Sequence, residues 1–316
     1  MADENVRASA GSRRSVNGIL LLDKAVGESS NAALQQVKRL FNARKAGHTG
    51  NLDVLASGLL PICFGEATKI CQFLLDADKS YLAEVTFGAR TSTGDAEGEI
   101  ISRGPTRHLS PERLASAMGQ FVGQISQVPP MYSALKKAGQ PLYRLARRGI
   151  EVERAPRKVR ISDFELLELT GDKARVRVRC SKGTYIRVLA EDLGQRLGTE
   201  AFLSALRREE VGTFQLGKAE TFANLAAMAA REPELVDKLL LPLDCALTHL
   251  PRFDCDIGQA RRLADGQKLT CEKPFCGERV RLYGHSGQII GIGEYGADGS
   301  IAPIRMFRSH PTESNE

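Results

Sequence analysis

One aspartate in a tight turn is the residue of this chain best placed to do chemistry. Asp53 lies in the segment GHTGNLDVLASGLLPICFGEATK, residues 47–69, within a turn of glycine and asparagine and five residues after His48. The apolar run 55–64 predicts a buried strand or helix. A lone carboxylate between a turn and a hydrophobic wall can serve as a nucleophile or a base. An Asx turn or a helix N-cap uses the same residue types, so the local pattern leaves both interpretations open.

Hydrolysis of a sugar is one alternative for such an acid. That reaction ordinarily requires a second carboxylate across the scissile bond. The candidates Asp23, Asp76 and Asp78 have no comparable setting between a turn and an apolar run. The sequence therefore favours a site built on Asp53 alone, and the hydrolase is the weaker hypothesis.

The elements that must position Asp53 are a mixture of helices and strands. Apolar residues at helical spacing follow Ser29, Ser110 and Tyr185, and the two serines are suitable N-caps. Strict alternation predicts strands over 81–88 and 173–180. The regular βαβ order of a doubly wound sheet is missing. We therefore expect an α+β fold, with a mixed, largely antiparallel central sheet and flanking helices.

A turn-rich segment, RTSTGDAEGE, follows the first of these strands. Its acids Asp95, Glu97 and Glu99 raise the question of a metal site. Alternating acids among glycines and threonines are more typical of a solvated hairpin, because turns favour these residue types. The sequence predicts a hairpin here and no metal.

The character of the chain changes towards both ends. Residues 1–16 are polar and small and predict a disordered tail, with a catalytic domain expected over 17–249. Short apolar runs broken by Gly, Asp and Pro predict a small β-rich module over 250–316. Residues 291–296, GIGEYG, match the spacing of a dinucleotide-binding loop. A turn and a strand follow them where a phosphate-binding helix is required, so hairpin glycines are the better interpretation.

The cysteines and the hydropathy indicate the compartment. Seven cysteines are scattered without a repeating pair pattern, and nothing in the sequence resembles a signal peptide, which predicts a reduced, cytoplasmic protein. Cys271 and Cys276 flank a short loop, but no second pair supports a zinc site. No apolar stretch is long enough to span a bilayer.

The positive charge is concentrated in one part of the chain. The formal net charge is +6 and the pI is near 9.0, a mild bias towards a polyanionic partner. Within the window 127–161 acids are nearly absent and basic residues are dense, and the strand at 173–180 follows with arginines along one face. These segments fit either a solvated surface or a phosphate-tracking RNA surface, and the scarcity of acids favours RNA. The basic residues of the window are Lys136, Lys137, Arg144, Arg147, Arg148, Arg154, Arg157, Lys158 and Arg160, and those of the strand are Arg175, Arg177 and Arg179.

Four blocks of the sequence together resemble a known family. GHTGNLDVLASGLLPICFGEATK, KSYLAEVTFGARTSTGDAEG, QVPPMYSALKKAGQPLYRLARRGIEV and RCSKGTYIRVLAEDLG look like the bacterial TruB-type tRNA pseudouridine synthases, in the family's order and spacing across roughly residues 17–212. The family motif GTLDPLATG is changed at two positions, with Asn51 in place of threonine and Val54 in place of proline. Asp53 is kept, and the lost proline could loosen the loop.

The resemblance implies a fold and an activity. It implies the pseudouridine-synthase fold with a C-terminal PUA-like RNA-binding module. The implied reaction converts a uridine in the T loop of tRNA, at the position conventionally numbered 55, to pseudouridine. The family uses no cofactor and no metal, and it implies a monomer that needs no obligate protein partner and acts on the T stem-loop of tRNA.

The resemblance also assigns roles to individual residues. Asp53 is the catalytic carboxylate, and Arg187 supplies the opposite charge that keeps it ionised. Tyr81 packs on the target base and assists proton transfer. The other matched positions are Tyr185 and Leu206 in the uracil pocket, His48 beside the rearranged loop, and Lys24 and Lys69 near the substrate backbone. Taken singly, Tyr81 could instead be a core aromatic, Leu206 could pack a helix, and His48 could bond the backbone of its turn.

A binding role is the second alternative to the enzyme. A chain with this basic window could act as a chaperone that helps tRNA to fold, alone or beside catalysis. The two functions separate at Asp53, because Asp53→Asn would abolish the isomerisation and leave RNA binding intact.

Overall fold

A computed structural model describes residues 12–137, 139–271 and 278–308. The strands are β1 Gly18–Lys24, β2 Ala46–His48, β3 Ser57–Phe64, β4 Lys79–Phe87, β5 Ala89–Thr91, β6 Ile100–Arg103, β7 Gly123–Gln127, β8 Lys136–Lys137, β9 Gln140–Pro141, β10 Arg157–Thr170, β11 Lys173–Cys180, β12 Ala201–Val211, β13 Phe214–Gln215, β14 Glu220–Thr221, β15 Arg252–Asp254, β16 Leu269–Thr270, β17 Arg279–Tyr283, β18 Ile289–Tyr295 and β19 Ser300–Met306. The α-helices are α1 Ser30–Leu40, α2 Cys71–Asp76, α3 Pro111–Gly119, α4 Leu142–Ala146, α5 Ile186–Arg196, α6 Phe222–Arg231 and α7 Ile257–Ala264. Short 3₁₀ helices cover Gly65–Ile70, Leu216–Lys218, Pro233–Leu235, Asp237–Leu239 and Leu243–Leu247.

The central sheet confirms the predicted fold class. Its strand order is β14-β1-β3-β12-β4-β11-β10-β7, with β2 paired to β3 and β13 paired to β12. The pairs β1–β14 and β3–β12 are parallel, and the other pairs of this sheet are antiparallel. The sheet is therefore mixed and largely antiparallel, and the helices expected after Ser29, Ser110 and Tyr185 are α1, α3 and α5.

Strand β3 lies between two hydrophobic cores. Every residue of β3 is buried, and its side chains alternate between the two sides of the sheet. Leu60 and Ile62 belong to one core, whereas Leu59 and Cys63 belong to the other. Because both faces are covered, the apolar run is continuous and cannot be assigned to strand or helix by periodicity alone. The structure makes it a strand.

The outward face of β11 differs from the prediction of an RNA-tracking surface. The arginines at 175, 177 and 179 point outward as expected, but each lies in an ion pair with a glutamate of β10 or β12. Acids are scarce in the local sequence, yet the neighbouring strands bring them within reach. This face is therefore a charge-balanced network, which favours the solvated interpretation. Its pairs are Arg175–Glu168, Arg177–Glu165, Arg177–Glu209 and Arg179–Glu210.

A second sheet confirms the β-rich C-terminal module. Its order is β15-β17-β18-β19-β16, around a small core that includes Leu263, Val280 and Ile301. The glycine-rich GIGEYG segment lies in β18 except for its last residue, Gly296. A Cβ at Gly291 would come within 2.6 Å of the Arg305 carbonyl oxygen, so the glycine there serves strand packing and not a nucleotide. The sequence analysis missed α7, although an Asp-x-x-Gln capping box marks its start.

The C-terminal module packs directly on the central domain. Ile292 of β18 joins the core that contains Leu59 and Cys63. Lys69 Nζ donates to the Met306 carbonyl oxygen at 2.8 Å, and Glu66 accepts a hydrogen bond of 2.8 Å from the Arg308 backbone. These contacts run from the 3₁₀ helix after β3 to the last described strand.

The ends of the chain and the cysteine pair are only partly covered. Arg14, inside the predicted tail, exchanges backbone hydrogen bonds with Asn42 and Arg44 and forms an ion pair with Asp237, so contact with the domain begins before residue 17. Residues 1–11 and Cys276 lie outside the described residues.

Within the described ranges, no group of three or more His, Cys, Asp or Glu side chains could hold a metal ion. No helix among them is both long and apolar enough to cross a membrane.

Candidate active site

Asp53 lies in the loop that joins β2 to β3. Ser30 anchors this loop to α1, because its hydroxyl accepts a hydrogen bond of 2.7 Å from Leu52 N and donates one of 3.1 Å to Leu52 O. Gly27 N donates to the Val54 carbonyl at 2.8 Å. The residue after the loop begins a strand, so Asp53 does not cap a helix. The N-cap alternative is wrong at this position.

Arg187 is the partner of the Asp53 carboxylate. It lies in the first turn of α5, is 5% exposed, and its Nε is 3.0 Å from Asp53 Oδ2. The rest of the guanidinium is also held: it donates to Thr93 O at 3.0 Å and to Tyr132 O at 2.7 Å, and one nitrogen lies 3.5 Å from Asp95 Oδ2. Arg187 therefore meets Asp53 in a fixed orientation, as the resemblance implied.

Asp95 corrects the prediction of a fully solvated hairpin. Glu97 and Glu99 are exposed, but Asp95 is buried. Its carboxylate accepts hydrogen bonds from Thr93 Oγ1 at 2.6 Å and from Glu97 N at 3.1 Å, in addition to the contact with Arg187. The turn is buried because its backbone bonds to Leu203 of β12, which brings it against the central sheet. The hairpin thus contributes an acid to the site.

The electrostatic environment leaves the pKa of Asp53 above its ordinary value. Burial by the surrounding protein raises the pKa most, and the negative charge of Asp95 raises it further. Arg187 and Lys24 oppose both effects without overcoming them. The side chain remains 47% exposed, so the carboxylate is enclosed on one side and open on the other. Arg187 therefore lowers the pKa of Asp53, as predicted, but in the free protein it does not return this pKa to the ordinary value.

Strand β12 turns two side chains towards this site through an irregularity. Strict alternation from Ala201 would direct Leu206 and Arg208 away from the buried side. A bulge between Leu203 and Ala205 shifts the alternation by one residue. Leu206 and Arg208 therefore join Ala201 and Leu203 on the buried side. Leu206 lies in a strand and not in a helix, and it belongs to the same core as the buried residues of α5.

Tyr81 of β4 is the direct cross-strand neighbour of Arg208. Its ring packs against the main core. Burial raises the pKa of the Tyr81 hydroxyl, the nearby Asp53 charge raises it further, and Arg208 opposes this rise. Tyr81 is thus a core aromatic whose polar end lies among the charged groups around Asp53.

Tyr185 is fixed at the start of α5 by a buried amide. Gln127 Oε1 accepts from Tyr185 N at 3.1 Å, and Gln127 Nε2 donates to Tyr185 O at 3.3 Å. Burial raises the pKa of the Tyr185 hydroxyl. Since Arg187 follows two residues later, the same amide also positions the arginine.

His48 lies on β2 opposite Ile62. Burial lowers the pKa of its imidazole, and the charge of Arg208 lowers it further, which favours the neutral ring. Its Nδ1 is buried without a hydrogen-bond partner in the described part of the chain. His48 Nδ1 therefore makes no hydrogen bond to the backbone of its own turn.

Comparison with known proteins identifies the family. Residues 38–186 match the model of the TruB family pseudouridylate synthase N-terminal domain, residues 187–248 the tRNA pseudouridylate synthase B C-terminal domain, and residues 256–307 the pseudouridine synthase II TruB C-terminal model. The chain is 52% identical to tRNA pseudouridine synthase B of Stutzerimonas stutzeri over 299 residues, which are 94% of this chain and 97% of the relative. It is 50% identical to the protein of that name from Aromatoleum aromaticum, over 95% of this chain and 96% of the relative.

The chain belongs to the TruB family of pseudouridylate synthases. It is therefore an isomerase that converts uridine to pseudouridine. Among solved structures, it is similar to a chain of an H/ACA ribonucleoprotein bound to a substrate RNA containing 2′-deoxyuridine, with a TM-score of 0.71 and 23% identity over 92% of this chain and 85% of that one. A chain of the archaeal box H/ACA Nop10–Cbf5 complex gives a TM-score of 0.70 and 24% identity over 93% and 87%. At these identities the likeness supports the fold.

The two changed positions of the TruB motif accept hydrogen bonds through their backbone carbonyls. Asn51 O accepts a hydrogen bond of 3.4 Å from Arg208, and the Val54 carbonyl accepts the bond from Gly27. These bonds, together with those of Ser30, hold the Asp53 loop in the absence of the family's proline.

The two lysines assigned from the TruB resemblance have different surroundings. Lys24 is fully buried, donates to the carbonyls of Ala25 and Glu28 at 2.7 Å each, and its pKa is lowered by burial. It is near enough to Asp53 for the two charges to interact. Lys69 is bonded to Glu66 and to the Met306 carbonyl at the contact with the C-terminal module. Neither ammonium group points freely into solvent.

Sequence analysis missed Asp95 and Arg208 as parts of the site. The sequence predicts a solvated turn around the acid and gives no prediction for the arginine. A weak signal for Arg208 existed in the run ALRREE, where two arginines interrupt an otherwise apolar start of a strand. Only the position of the bulge decides which of the two is buried.

Proposed function

We propose that this enzyme converts the uridine at position 55 in the T loop of tRNA to pseudouridine, with Asp53 as the catalytic carboxylate. The observation that carries the proposal is the contact of 3.0 Å between Asp53 Oδ2 and Arg187 Nε in a half-open site beside Tyr81. Its relatives of about half identical sequence are named tRNA pseudouridine synthase B, which supports tRNA as the substrate.

The reaction needs one nucleophile and room for a base to turn. The bond between uracil N1 and the sugar C1′ breaks, the base rotates, and C5 bonds to C1′ while N1 gains a proton and C5 loses one. Atoms and electrons balance within the nucleotide, so the chemistry requires no cofactor. Asp53 attacks C1′ or the uracil C6, and Arg187 holds the carboxylate in the orientation for either attack.

The second acid of a hydrolase is not available to the substrate in this arrangement. Asp23, Asp76 and Asp78 pair with Arg207, Lys182 and Arg160 respectively. Asp95 is nearer to the site, but it is buried and its oxygens are occupied by Thr93, Glu97 and Arg187. These contacts favour the isomerase chemistry over glycoside hydrolysis.

The target base must leave the stack of the T loop to reach Asp53. Extrusion of a base costs a few kcal/mol. Stacking on an aromatic ring returns about 1–3 kcal/mol per base. We assign that stacking role to Tyr81, the uracil pocket to Tyr185 and Leu206, and the space beside the flipped base to His48.

The basic window supplies the affinity for the RNA backbone. Eight of its nine basic residues are exposed, whereas Arg154 is half-buried and paired with Glu151. This surface, in contrast to the network on β11, is mostly free of ion pairs in the described chain. Phosphate contacts of this kind give an affinity that falls with salt. We assign Lys24 to a supporting position beneath the substrate backbone and Lys69 to the contact that orients the module of residues 250–316, which adds a second RNA surface.

The enzyme acts in this proposal as a monomer in the cytoplasm, without a protein partner. Among the described residues, the thiols of Cys63, Cys71, Cys180, Cys245 and Cys255 are free, which agrees with a reducing compartment. The complete set of substrate contacts assigned above comes from this one chain.

A carbodiimide primer-extension assay on unmodified tRNA transcript tests the proposal. Wild type is expected to give a reverse-transcription stop in the T loop at position 55, and Asp53→Asn is expected to bind the transcript and give no stop. Asp76→Asn, which removes an acid paired with Lys182, is the matched control and is expected to keep the stop. A wild-type protein that binds tRNA and gives no stop would contradict the enzyme and support the chaperone alternative.

A further inference from the structure

Arg208 is an unusual residue of the main sheet, because it is a buried cation. It is 1% exposed and lies in β12 between its register partners Gly58 of β3 and Tyr81 of β4. No carboxylate pairs with it in the described ranges, in contrast to Arg187 and Arg207. Burying an ion costs several kcal/mol unless its surroundings compensate. The groups that solvate this guanidinium therefore show what it does.

One side of the guanidinium binds the loop that carries Asp53. Its Nε donates to the Leu59 carbonyl at 2.8 Å, and the two terminal nitrogens donate to Asn51 O at 3.4 Å and Gly50 O at 3.3 Å. The last two carbonyls lie two and three residues before Asp53. Arg208 thus ties the start of this loop to the fully buried strand β3.

The approach of Arg208 to β3 depends on Gly58. A Cβ at this position would lie 2.4 Å from the Arg208 carbonyl oxygen and 2.7 Å from its backbone nitrogen. A side chain at position 58 would push β12 away and withdraw the guanidinium from the loop. The close parallel pairing of the two strands therefore places Arg208 within reach of the carbonyls.

The other side of the guanidinium meets Tyr81. Tyr81 is the register partner of Arg208 across the β4–β12 pair, so the two side chains are neighbours on one face of the sheet. Since a guanidinium can only donate, a Tyr81 hydroxyl that faces Arg208 keeps its own proton for the base pocket. The same cation lies near His48 and favours its neutral ring. One arginine therefore binds the Asp53 loop and is the cross-strand neighbour of the residue assigned to the base.

We propose that Arg208 is a positioning residue of the isomerisation. It fixes the position of the Asp53 loop relative to β3, and it turns the Tyr81 hydroxyl towards the base as a hydrogen-bond donor. The proposal rests on the function proposed above for Asp53 and Tyr81. It assigns no substrate contact to Arg208 itself, which acts through the loop and through the phenol.

Single-turnover kinetics with saturating enzyme test this role. Arg208→Met is expected to lower the rate of pseudouridine formation by about 10²-fold, the usual effect of a misplaced reacting group. Its Kd for tRNA is expected to stay within about threefold of wild type, because the phosphate contacts lie elsewhere. Arg208→Lys, which keeps the charge and one donor, is expected to recover part of the rate. Arg207→Met, the neighbouring arginine that pairs with Asp23 on the other side of the strand, is the matched control and is expected to react like wild type.

A double variant separates positioning from a general structural role. If Arg208 acts through Tyr81, Arg208→Met combined with Tyr81→Phe will be no slower than the slower single variant. Rate losses that multiply, or an Arg208→Met variant as fast as Arg207→Met, would overturn the proposal. Thermal unfolding of each variant shows whether a slow variant is still folded.

The contact can also be tested in a protein that keeps Arg208. The ¹⁵N guanidinium spectrum of wild type is expected to contain slowly exchanging Arg208 protons that shift when Tyr81 is changed to Phe. An unchanged spectrum would refute the expected hydrogen bond between Arg208 and the Tyr81 hydroxyl, even if neither Arg208 variant folds. This measurement needs no tRNA, so a wild-type protein without activity would refute the proposed function and leave this test in place.

Discussion

Asp95 lies behind Asp53 on the same arginine, so that one guanidinium, that of Arg187, serves two carboxylates. The distances are 3.0 Å from Arg187 Nε to Asp53 Oδ2 and 3.5 Å from Arg187 Nη1 to Asp95 Oδ2. Asp53 is half-open and Asp95 is buried. The open acid is placed to react and the buried acid to hold the arginine, and this division leads to the first two predictions.

Asp95→Asn is expected to move the acid limb of the reaction to lower pH. Burial and, to a smaller extent, the charge of Asp95 raise the pKa of Asp53, and the proposed reaction needs the ionised acid. The wild-type rate therefore falls as the pH drops through this raised pKa. Removal of the like charge of Asp95 lowers the pKa of Asp53. The pH dependence of the single-turnover rate measures the shift. Glu99→Gln, on the exposed part of the same hairpin, should leave the limb in place, and an unshifted limb in Asp95→Asn would contradict the coupling.

Asp53→Asn is expected to raise the Tm at pH 7. A carboxyl whose pKa is higher in the folded than in the unfolded protein favours folding when protonated. Its contribution to stability is greatest below the unfolded pKa, near ~3.9, and is lost as the pH rises through the folded pKa. At pH 7 the ionised acid therefore costs stability that asparagine does not. Calorimetry from pH 7 downwards should show the advantage of the variant shrinking, and a variant less stable than wild type at pH 7 would show that the Arg187 contact outweighs burial.

The two arginine-rich surfaces are expected to differ in their contribution to tRNA binding. Arg147 and Arg148 are exposed in the basic window, whereas Arg177 and Arg179 are paired with glutamates of β12. Changing the first pair to glutamine should weaken binding and reduce the slope of log K against log salt by about 0.7–0.9 for each lost phosphate contact. Changing the second pair should alter neither. Fluorescence titration at several salt concentrations gives both values, and equal losses for the two double variants would contradict the distinction.

Gly58→Ala is expected to destabilise the protein far more than a change at another glycine of positive φ. Gly58 has φ +100°, and its added Cβ would meet the Arg208 backbone at 2.4 Å. Gly27 has φ +89° but nothing within 4 Å of the same added atom. Gly27→Ala therefore reports backbone strain alone, of about 1–3 kcal/mol. Overpacking at Gly58 adds about 1–3 kcal/mol to this strain. Denaturant unfolding of both variants measures the difference, and equal losses would mean that the strands separate freely.

Local sequence was enough to single out Asp53 and to predict most elements around it. Asp53 stands out because a turn and an apolar run are both visible within a few residues. The capping serine of α1 and the alternation of β4 and β11 are local in the same sense. Arg187 and Tyr81 came from the resemblance to the TruB family, since no local pattern joins them to Asp53.

What the sequence did not show depends on contacts between distant segments. Asp95 is buried because its turn bonds to Leu203, more than a hundred residues later in the chain. Arg208 is buried because a bulge shifts β12 by one residue, and a bulge leaves no clear mark in a single sequence. The arginines of β11 are neutralised by acids of two other strands. In each case the burial or pairing is set by register and not by composition.

The burial of β3 on both faces affects how readily the anchor of the Asp53 loop opens. Backbone segments within a core exchange their amide protons only through global unfolding, whereas loops with few buried contacts open locally and far more often. The Asp53 loop is attached to β3 at one end and is bonded through Arg208 to Leu59 within that strand. Its anchor is therefore among the last segments to exchange amide protons with solvent. When enzyme and tRNA meet, we expect the deformation to fall on the RNA and not on the support of Asp53.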